Sequence, residues 1–341
     1  MKRELGSLAT HRAYLGKPPK KGSVVPFPCD PAKVFAAQVK GLAARLKAIK
    51  CRDVVIGLSG GLDSTLALLV ADAAFSRMRI DKRGIHVYTM PGFGTSKRTK
   101  GNAELLCEGL GLKIETISIA KSVRQHLKDI GHDGKTPDVT YENAQARMRT
   151  MILMDKANMT GGIVIGTGDL SEIALGWSTY NGDHMSMFGV NSGVPKTVIR
   201  SVCHWHALKH SKTEKLKHSL LDIIATPVSP ELVKGQVTED KIGPYELHDF
   251  FLWNFIMNEM GSKDLQAAAE RYFLGPSQPR NPATSQPITR KLIAKTLRTF
   301  LWRFFTQAFK RNCQPDGIRV FPFELSLRGW WIPSDLGFVR I

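Results

Sequence analysis

Three stretches of this chain carry side chains suited to chemistry on phosphates and carbonyls. The first is Ser59-Gly60-Gly61-Leu62-Asp63-Ser64. Adjacent glycines let a backbone turn tightly and aim successive N–H groups at one anion, and the two serine hydroxyls add donors. Asp63 beside bound phosphates would repel them unless a divalent cation stood between, so the loop implies Mg²⁺ as well as a nucleotide. No Gly-Lys-Ser/Thr follows, which excludes a Walker A loop. The second stretch, Thr167 to Asp183, holds the carboxylates Glu172 and Asp183, and the third is Pro195-Lys196. A lesser candidate is Cys203-His204-Trp205-His206 with His210. His206 and His210 lie one helical turn apart, a spacing zinc can use, but no second ligand cluster accompanies them, so histidines on a surface helix are expected.

The elements that must position these residues alternate in a regular way. Asp30-Pro31 can cap and open a helix whose apolar positions Val34, Phe35, Val39, Leu42, Leu46 and Ile49 recur with helical period, ending near Lys50. From Asp53 onward, short β-branched runs alternate with helical ones. These are VVIGL, then a helix from Leu62; GIHVYTM, then one through Asn102 to Leu110; LKIETISI, then one from Ala120; a long helix from Tyr141 to Met159; and GIVIGT. This rhythm predicts an α/β fold with a doubly wound parallel sheet covered on both faces. Ligands then bind beyond the carboxyl ends of the strands, at the loops after Leu58, Met90 and Thr167. Past Pro195 the pattern turns helical: Val198 to Leu208, Leu216 to Ile224, Leu247 to Met260, Leu265 to Phe273 and Ile288 to Phe309. That gives a helical C-terminal extension.

Composition bounds the function. With 341 residues, 43% hydrophobic and 23% charged, the chain is neither disordered nor fibrous, and its length suits about two domains or one large α/β unit. Charge interrupts the apolar runs before a membrane-spanning length, so no membrane is expected. The N-terminus lacks the apolar core of a secretory signal. Five scattered cysteines without a C-x-x-C pair fit a reducing cytoplasm. A net charge of +18 raises nucleic acid as a partner. No RNA-binding signature or basic–aromatic alternation accompanies it, and nucleotide phosphates would use the same field, so nucleic acid is not the expected partner.

The complete S-G-G-x-D-S after a strand resembles the pyrophosphate loop of the ATP pyrophosphatases, whose Rossmann-like fold is that of the adenine nucleotide alpha hydrolases. Ile165-Gly166-Thr167-Gly168-Asp169-Leu170-Ser171-Glu172 through Asp183, and Val190-Asn191-Ser192-Gly193-Val194-Pro195-Lys196-Thr197, are similar to NAD synthetase, specifically the synthetase half of its glutamine-dependent long form. Met90 to Ser96 and Ile242 to Phe250 agree with it. The resemblance runs from about Pro26 to Asp335. Residues 1–29, basic and rich in Gly and Pro, read as an arm or linker, and the resemblance implies an NAD synthetase domain at 30–275 with a helical extension and tail at 276–341. It also implies ATP-dependent amidation of deamido-NAD to NAD through an adenylated intermediate, with release of AMP and pyrophosphate.

The resemblance also distributes roles. Ser59, Gly60, Gly61, Asp63, Ser64, Thr167 and Lys196 would bind ATP, with Lys196 as a mobile positive charge on its tail. Asp63 and Glu172 would ligate Mg²⁺, and Asp183 would serve the ammonia step. Asn143, Arg147 and Lys310 would contact deamido-NAD. A homodimer is expected. The long form carries a glutaminase ahead of the synthetase, whereas only about 30 residues precede the first helix here. Either ammonia is free, or it is supplied by a separate glutaminase subunit, or the sequence is the remnant of a longer one. Leu325-Ser326-Leu327-Arg328-Gly329-Trp330-Trp331 departs from the family's S-P-R-G-D-W, which puts the tail's substrate contacts in doubt. Two rivals remain: another adenylating enzyme of the superfamily, such as one acting on tRNA, and a nucleotide-binding protein without catalysis.

Overall fold

The computed structural model describes residues 27–95, 97–226, 238–275 and 287–326, together with Leu232 and Gly329. Most of the basic arm and most of the divergent tail lie outside the described residues. In chain order the elements are α1 (Pro31–Ala48), β1 (Val54–Gly57), α2 (Leu62–Met78), β2 (Ile85–Thr89), α3 (Lys97–Leu110), β3 (Ile114–Thr116), α4 (Ala120–Asp129), α5 (Val139–Thr160), β4 (Ile163–Gly166), α6 (Leu170–Leu175) and β5 (Phe188–Gly189). The helical remainder is α7 (Lys196–Lys209), α8 (Glu214–Ala225), α9 (Thr238–Ile242), α10 (Tyr245–Met257), α11 (Ser262–Leu274), α12 (Arg290–Thr306) and α13 (Ala308–Arg311).

The five strands run parallel in the order β3-β2-β1-β4-β5. The strand order reverses at β1, where β2 lies on one side and β4 on the other. This is the doubly wound arrangement expected from the alternation, and its crevice opens beyond the carboxyl ends of β1 and β4. Val54, Val55 and Ile56 have no exposure, which is why β1 reads as an unbroken apolar run rather than an alternating one.

Local chemistry sets the ends of the elements. Asp30 caps α1 by accepting from the Lys33 N–H, and Pro31 occupies its first turn, as the sequence predicts. Two short elements escape the periodicity. β5 has two residues and α6 has six, below the length at which a pattern can repeat. The helix expected over Ile288 to Phe309 is corrected. It breaks at Gln307, whose N–H turns back to Arg303 and Phe305 carbonyls, giving α12 and α13. Gln307 packs against Gly176, where a Cβ would fall 2.4 Å from the Gln307 Cβ. The break thus serves a tertiary contact.

The C-terminal helices do not stand apart from the sheet. Phe300, Phe304, Ile318, Val320 and Phe321 share one apolar core with Val54, Ile56 and Leu66. A bridge between Gly189 and Gly317 continues the hydrogen bonding past β5.

Candidate active site

The Gly-Gly turn after β1 is a built conformation. Gly60 has φ +84°, and a Cβ there would fall 2.1 Å from the Thr99 carbonyl oxygen, so only glycine fits. The Ser59 and Ser64 hydroxyls lie 3.1 Å apart, and the Gly61 N–H donates to Ser59 Oγ at 3.2 Å. Gly61 is the N-cap of α2 and supplies no side chain to its first turn. Backbone N–H groups of that turn, the helix dipole and two hydroxyls therefore face one place, an anion site by construction.

On the neighbouring strand, Asp169 caps α6. It accepts from the Glu172 N–H at 2.8 Å, while the Glu172 carboxylate reaches back to the Asp169 N–H. This capping box fixes two carboxylates beside each other. Across the switch point, Asp63 lies on the first turn of α2. Lys196, the first residue of α7, closes the group from below. Its Nζ lies 2.6 Å from Asp63 Oδ2, 2.7 Å from Asp169 Oδ2 and 2.9 Å from Glu172 Oε1. The Tyr245 ring is 5.2 Å away.

Lys196 has no exposure. The expectation that it is a mobile charge is corrected: three carboxylates hold its ammonium in place. Burial alone would lower its pKa, but Asp169, Asp63 and Glu172 outweigh burial and hold it well above the usual lysine range. Burial raises Asp169, and it pushes Glu172 up to about 7 with Lys196 opposing and Asp63 adding to the rise.

A further network holds Lys196 from behind. The Lys196 N–H donates to Ser171 Oγ at 2.9 Å, and Ser171 Oγ in turn donates to Asp249. Asp249 also accepts from the Thr197 N–H at 3.0 Å and from the Thr197 hydroxyl at 2.6 Å. The start of α7 is thereby capped by a buried carboxylate of α10. Burial pushes that carboxyl up to about 6. Asn191 ties the two strand ends together, donating to the Asp63 carbonyl at 2.9 Å and the Thr167 carbonyl at 3.1 Å.

The donor set suits a hard divalent cation. Oxygens of Asp63, Asp169 and Glu172 lie within 4.8 Å of one another, and Asp63 Oδ1 is buried without a hydrogen-bond partner. One ammonium against three carboxylates leaves the cluster negative when all are ionised, so a further cation has charge to offset. Among the described residues this is the cluster of potential metal ligands, and Asp169 joins the expected pair of Asp63 and Glu172. The capping box D-x-x-E was the sequence signal for Asp169.

The remaining expected residues meet around 176–183. Thr179 donates its N–H to Asp183 Oδ1 at 2.7 Å and its hydroxyl to Asn143 Oδ1 at 2.7 Å. Arg147 donates to the Tyr180 carbonyl at 3.3 Å. Lys310 donates to the Gly176 carbonyl at 3.0 Å and the Ser178 carbonyl at 2.5 Å. Two cations that sequence reasoning missed finish the C-terminal end of α6: Arg303 donates to the Leu175 and Gly176 carbonyls, and Arg311 to that of Ala174. Positive charge at a helix C-terminus is favourable and satisfies its free carbonyls. Glu172, Ser178, Asp183, His184 and Gln314 line an open recess, placing Glu172 of the carboxylate cluster and Asp183 on one hollow. The Cys203–His210 stretch lies elsewhere on α7. Cys203 is fully buried, and burial pushes His206 down to about 4.

Comparisons with known proteins identify the family of the chain. The family described as NAD synthase matches residues 34–271. The glutamine-dependent NAD(+) synthetase of Mycobacterium tuberculosis is 40% identical over 91% of this chain and 50% of its own length. That of Thermotoga maritima is 32% identical over 71% of this chain and 41% of its own length. The chain thus spans about half the length of the mycobacterial relatives it matches. Among solved structures, a glutamine-dependent NAD(+) synthetase from Cytophaga hutchinsonii superposes with a TM-score of 0.66 at 17% identity, covering 89% of this chain and 54% of that one. An NMN synthetase from Francisella tularensis gives 0.57 at 22% identity, covering 75% of this chain and 99% of that one. At those identities the two likenesses are of fold.

Proposed function

The chain belongs to the NAD synthase family, and on that footing we propose that it amidates deamido-NAD to NAD at the expense of ATP, releasing AMP and pyrophosphate. The observation that carries this reading is the placement of the Ser59–Ser64 anion loop, the Lys196 cluster and Asp183 on one side of the sheet's switch point.

Two half-reactions follow from two kinds of residue. In the first, the nicotinate carboxylate attacks the α-phosphorus of ATP. The N-terminal N–H groups of α2, with Ser59 and Ser64, bind the departing pyrophosphate. Lys196 offsets charge at the neighbouring phosphates from a fixed position, so little reorganisation accompanies the step. Asp63, Asp169 and Glu172 would hold Mg²⁺, which when bound neutralises polyphosphate charge. In the second, ammonia displaces AMP from the activated carbonyl. Asp183, exposed at the recess, binds the incoming ammonium or takes its proton. Asn143 and Arg147, on α5 and hydrogen-bonded to Thr179 and Tyr180, would contact the pyridine end and the dinucleotide phosphates. Thr167 lines the ATP side, and Lys310 holds the acceptor loop while leaving its ammonium near substrate.

The nitrogen donor is ammonia, free or delivered by a glutaminase. The unpaired cysteines suit the cytoplasm as the place of action. Met151 and Met159 are exposed along α5, the kind of apolar face a homodimer would cover. No described helix is long and apolar enough to cross a membrane. The test is direct: purified chain with Mg-ATP and deamido-NAD, supplied with ammonium or glutamine, assayed for NAD, AMP and pyrophosphate. NAD with ammonium supports the reading. No pyrophosphate and no NAD with either donor would overturn it.

A further inference from the structure

A cysteine and a histidine far apart in sequence meet beside the acceptor loop. His184 Nε2 lies 3.2 Å from Cys313 Sγ, and His184 Nδ1 lies 3.0 Å from the Thr179 carbonyl oxygen. A carbonyl can only accept, so Nδ1 carries the proton and Nε2 is the acceptor of the pair. Cys313 Sγ is also 3.2 Å from the Lys310 carbonyl, so the thiol proton is offered to two acceptors, one on each side of the contact. Tyr180 stacks on His184 with centroids 5.8 Å apart and touches Phe309 at 5.4 Å.

Such a pair invites reading as a nucleophile and its base, but its surroundings oppose that. Burial raises the Cys313 thiol and lowers the His184 imidazole, which keeps both neutral, whereas a nucleophilic pair needs the thiolate and imidazolium. What the contact does instead is mechanical. Thr179 is gripped at its carbonyl by His184, at its N–H by Asp183 and at its hydroxyl by Asn143. Removing the first grip frees the residue that orients the Asp183 carboxylate.

We propose that His184, joined through Cys313 to the chain just after α13, is a positioning residue that fixes Thr179 and thereby aims the Asp183 carboxylate at the incoming nitrogen. The C-terminal segment holds the acceptor loop twice: by the Lys310 ammonium on the Gly176 and Ser178 carbonyls, and by the Cys313 thiol on His184. The His184, Cys313 and Thr179 contacts include no side chain of the adenylating cluster, so the two half-reactions respond differently to their loss. The inference rests on Asp183 serving the ammonia step.

The experiment compares wild type, His184→Ala, His184→Asn, Cys313→Ala and Cys313→Ser. Pyrophosphate release is measured without ammonium, and NAD formation is measured across ammonium concentrations. Amide exchange of residues 178–184 is followed separately. With His184→Ala and Cys313→Ala, kcat/KM for ammonium falls by about tenfold or more while pyrophosphate release stays within about twofold. Exchange at Thr179 rises about tenfold while α2 is unchanged. His184→Asn, whose amide can still donate to Thr179, and Cys313→Ser, which keeps a donor, recover most of both effects. Equal loss of the two half-reactions, or unaltered exchange at Thr179, would overturn the inference. If wild type itself makes no NAD, the functional reading fails, and the exchange arm alone still decides whether His184 and Cys313 position the loop. Should His184→Ala not fold, Cys313→Ala is judged by the same measures.

Discussion

Around Lys196, side chains from α2, α6 and α7 converge so closely that three carboxylates lie within 2.9 Å of one nitrogen, all of it roofed by Tyr245 of α10. Asp183 shares a recess with Glu172; the residue reaches the surface while burial of its carboxyl raises its pKa, and the loop that carries it hangs on hydrogen bonds to its own carbonyls from Arg147, Lys310 and His184. One region is set by opposite charges around a fully buried ammonium, the other by donors brought from distant parts of the chain. In the first, removing one charge leaves the others buried and unbalanced. In the second, removing one donor loosens a loop whose other grips remain. The cluster should therefore fail as a unit and the loop by degrees.

Lys196→Met tests that contrast most severely. Taking the ammonium from beside the buried Asp169 and the half-buried Asp63 and Glu172 should cost about 3–5 kcal/mol of stability, offset by carboxylates taking up protons. Lys310→Met, which removes donors from two carbonyls that other donors and water can partly serve, should cost about 1 kcal/mol. Thermal or denaturant unfolding of the two variants checks the ratio. Similar losses would erase the distinction between the regions.

Asp63→Asn and Glu172→Gln keep size while removing charge, and each should lower pyrophosphate release by about 100-fold or more, near 2.7 kcal/mol. Depletion of Mg²⁺ should do the same to wild type. Release that survived both variants and depletion would remove the metal-binding role from the cluster. Asp183→Ala sits on the other side of the comparison: pyrophosphate release should persist while NAD formation falls at least about tenfold. If NAD formation is untouched, the acceptor assignment is wrong.

The same contrast explains what was legible in the sequence. The anion loop, Asp63, Glu172 and Lys196 lie at the ends of strands or starts of helices, where alternation of apolar runs locates them and short motifs mark them. The doubly wound sheet followed from the unbroken apolar strands for the same reason. Asp169 was within reach through its capping box. Asp249, Asn191, Arg303, Arg311 and Cys313 act across separations of 24 to 137 residues, and no local pattern encodes such pairs. The immobility of Lys196 belongs to this second kind: a lysine after a proline reads as a free cation, and only tertiary packing surrounds it with acid. Gln307 is similar, since helical propensity continues through it and the close approach to Gly176 decides the break.

A pair of histidines offers the mildest probe of the two regions, because both are lowered by burial but to different extents. His248, on α10 behind Lys196, is pushed down to about 4, and its Nε2 donates to the Ile242 carbonyl at 3.0 Å. The unfolded chain protonates this side chain near pH 6.5 while the folded chain refuses the proton until about pH 4. The folded state thus binds fewer protons between those limits, so the contribution of His248 to stability is complete above pH 6.5 and is lost as pH falls toward 4. The slope is about 1.4 kcal/mol per pH unit within that window. Replacing His248 with Gln, which can still donate to a carbonyl, removes the titration. The difference in stability between wild type and variant should then shrink by about 1 kcal/mol between pH 6.5 and pH 5.5, where the unfolded histidine passes from half to nearly full protonation, read from denaturant midpoints at each pH. His184→Asn, in the more open acceptor loop, should show a smaller change over the same interval. Equal slopes would mean that the loop is as closed to protons as the wall behind Lys196, and the difference in packing between the two regions would then not extend to their histidines.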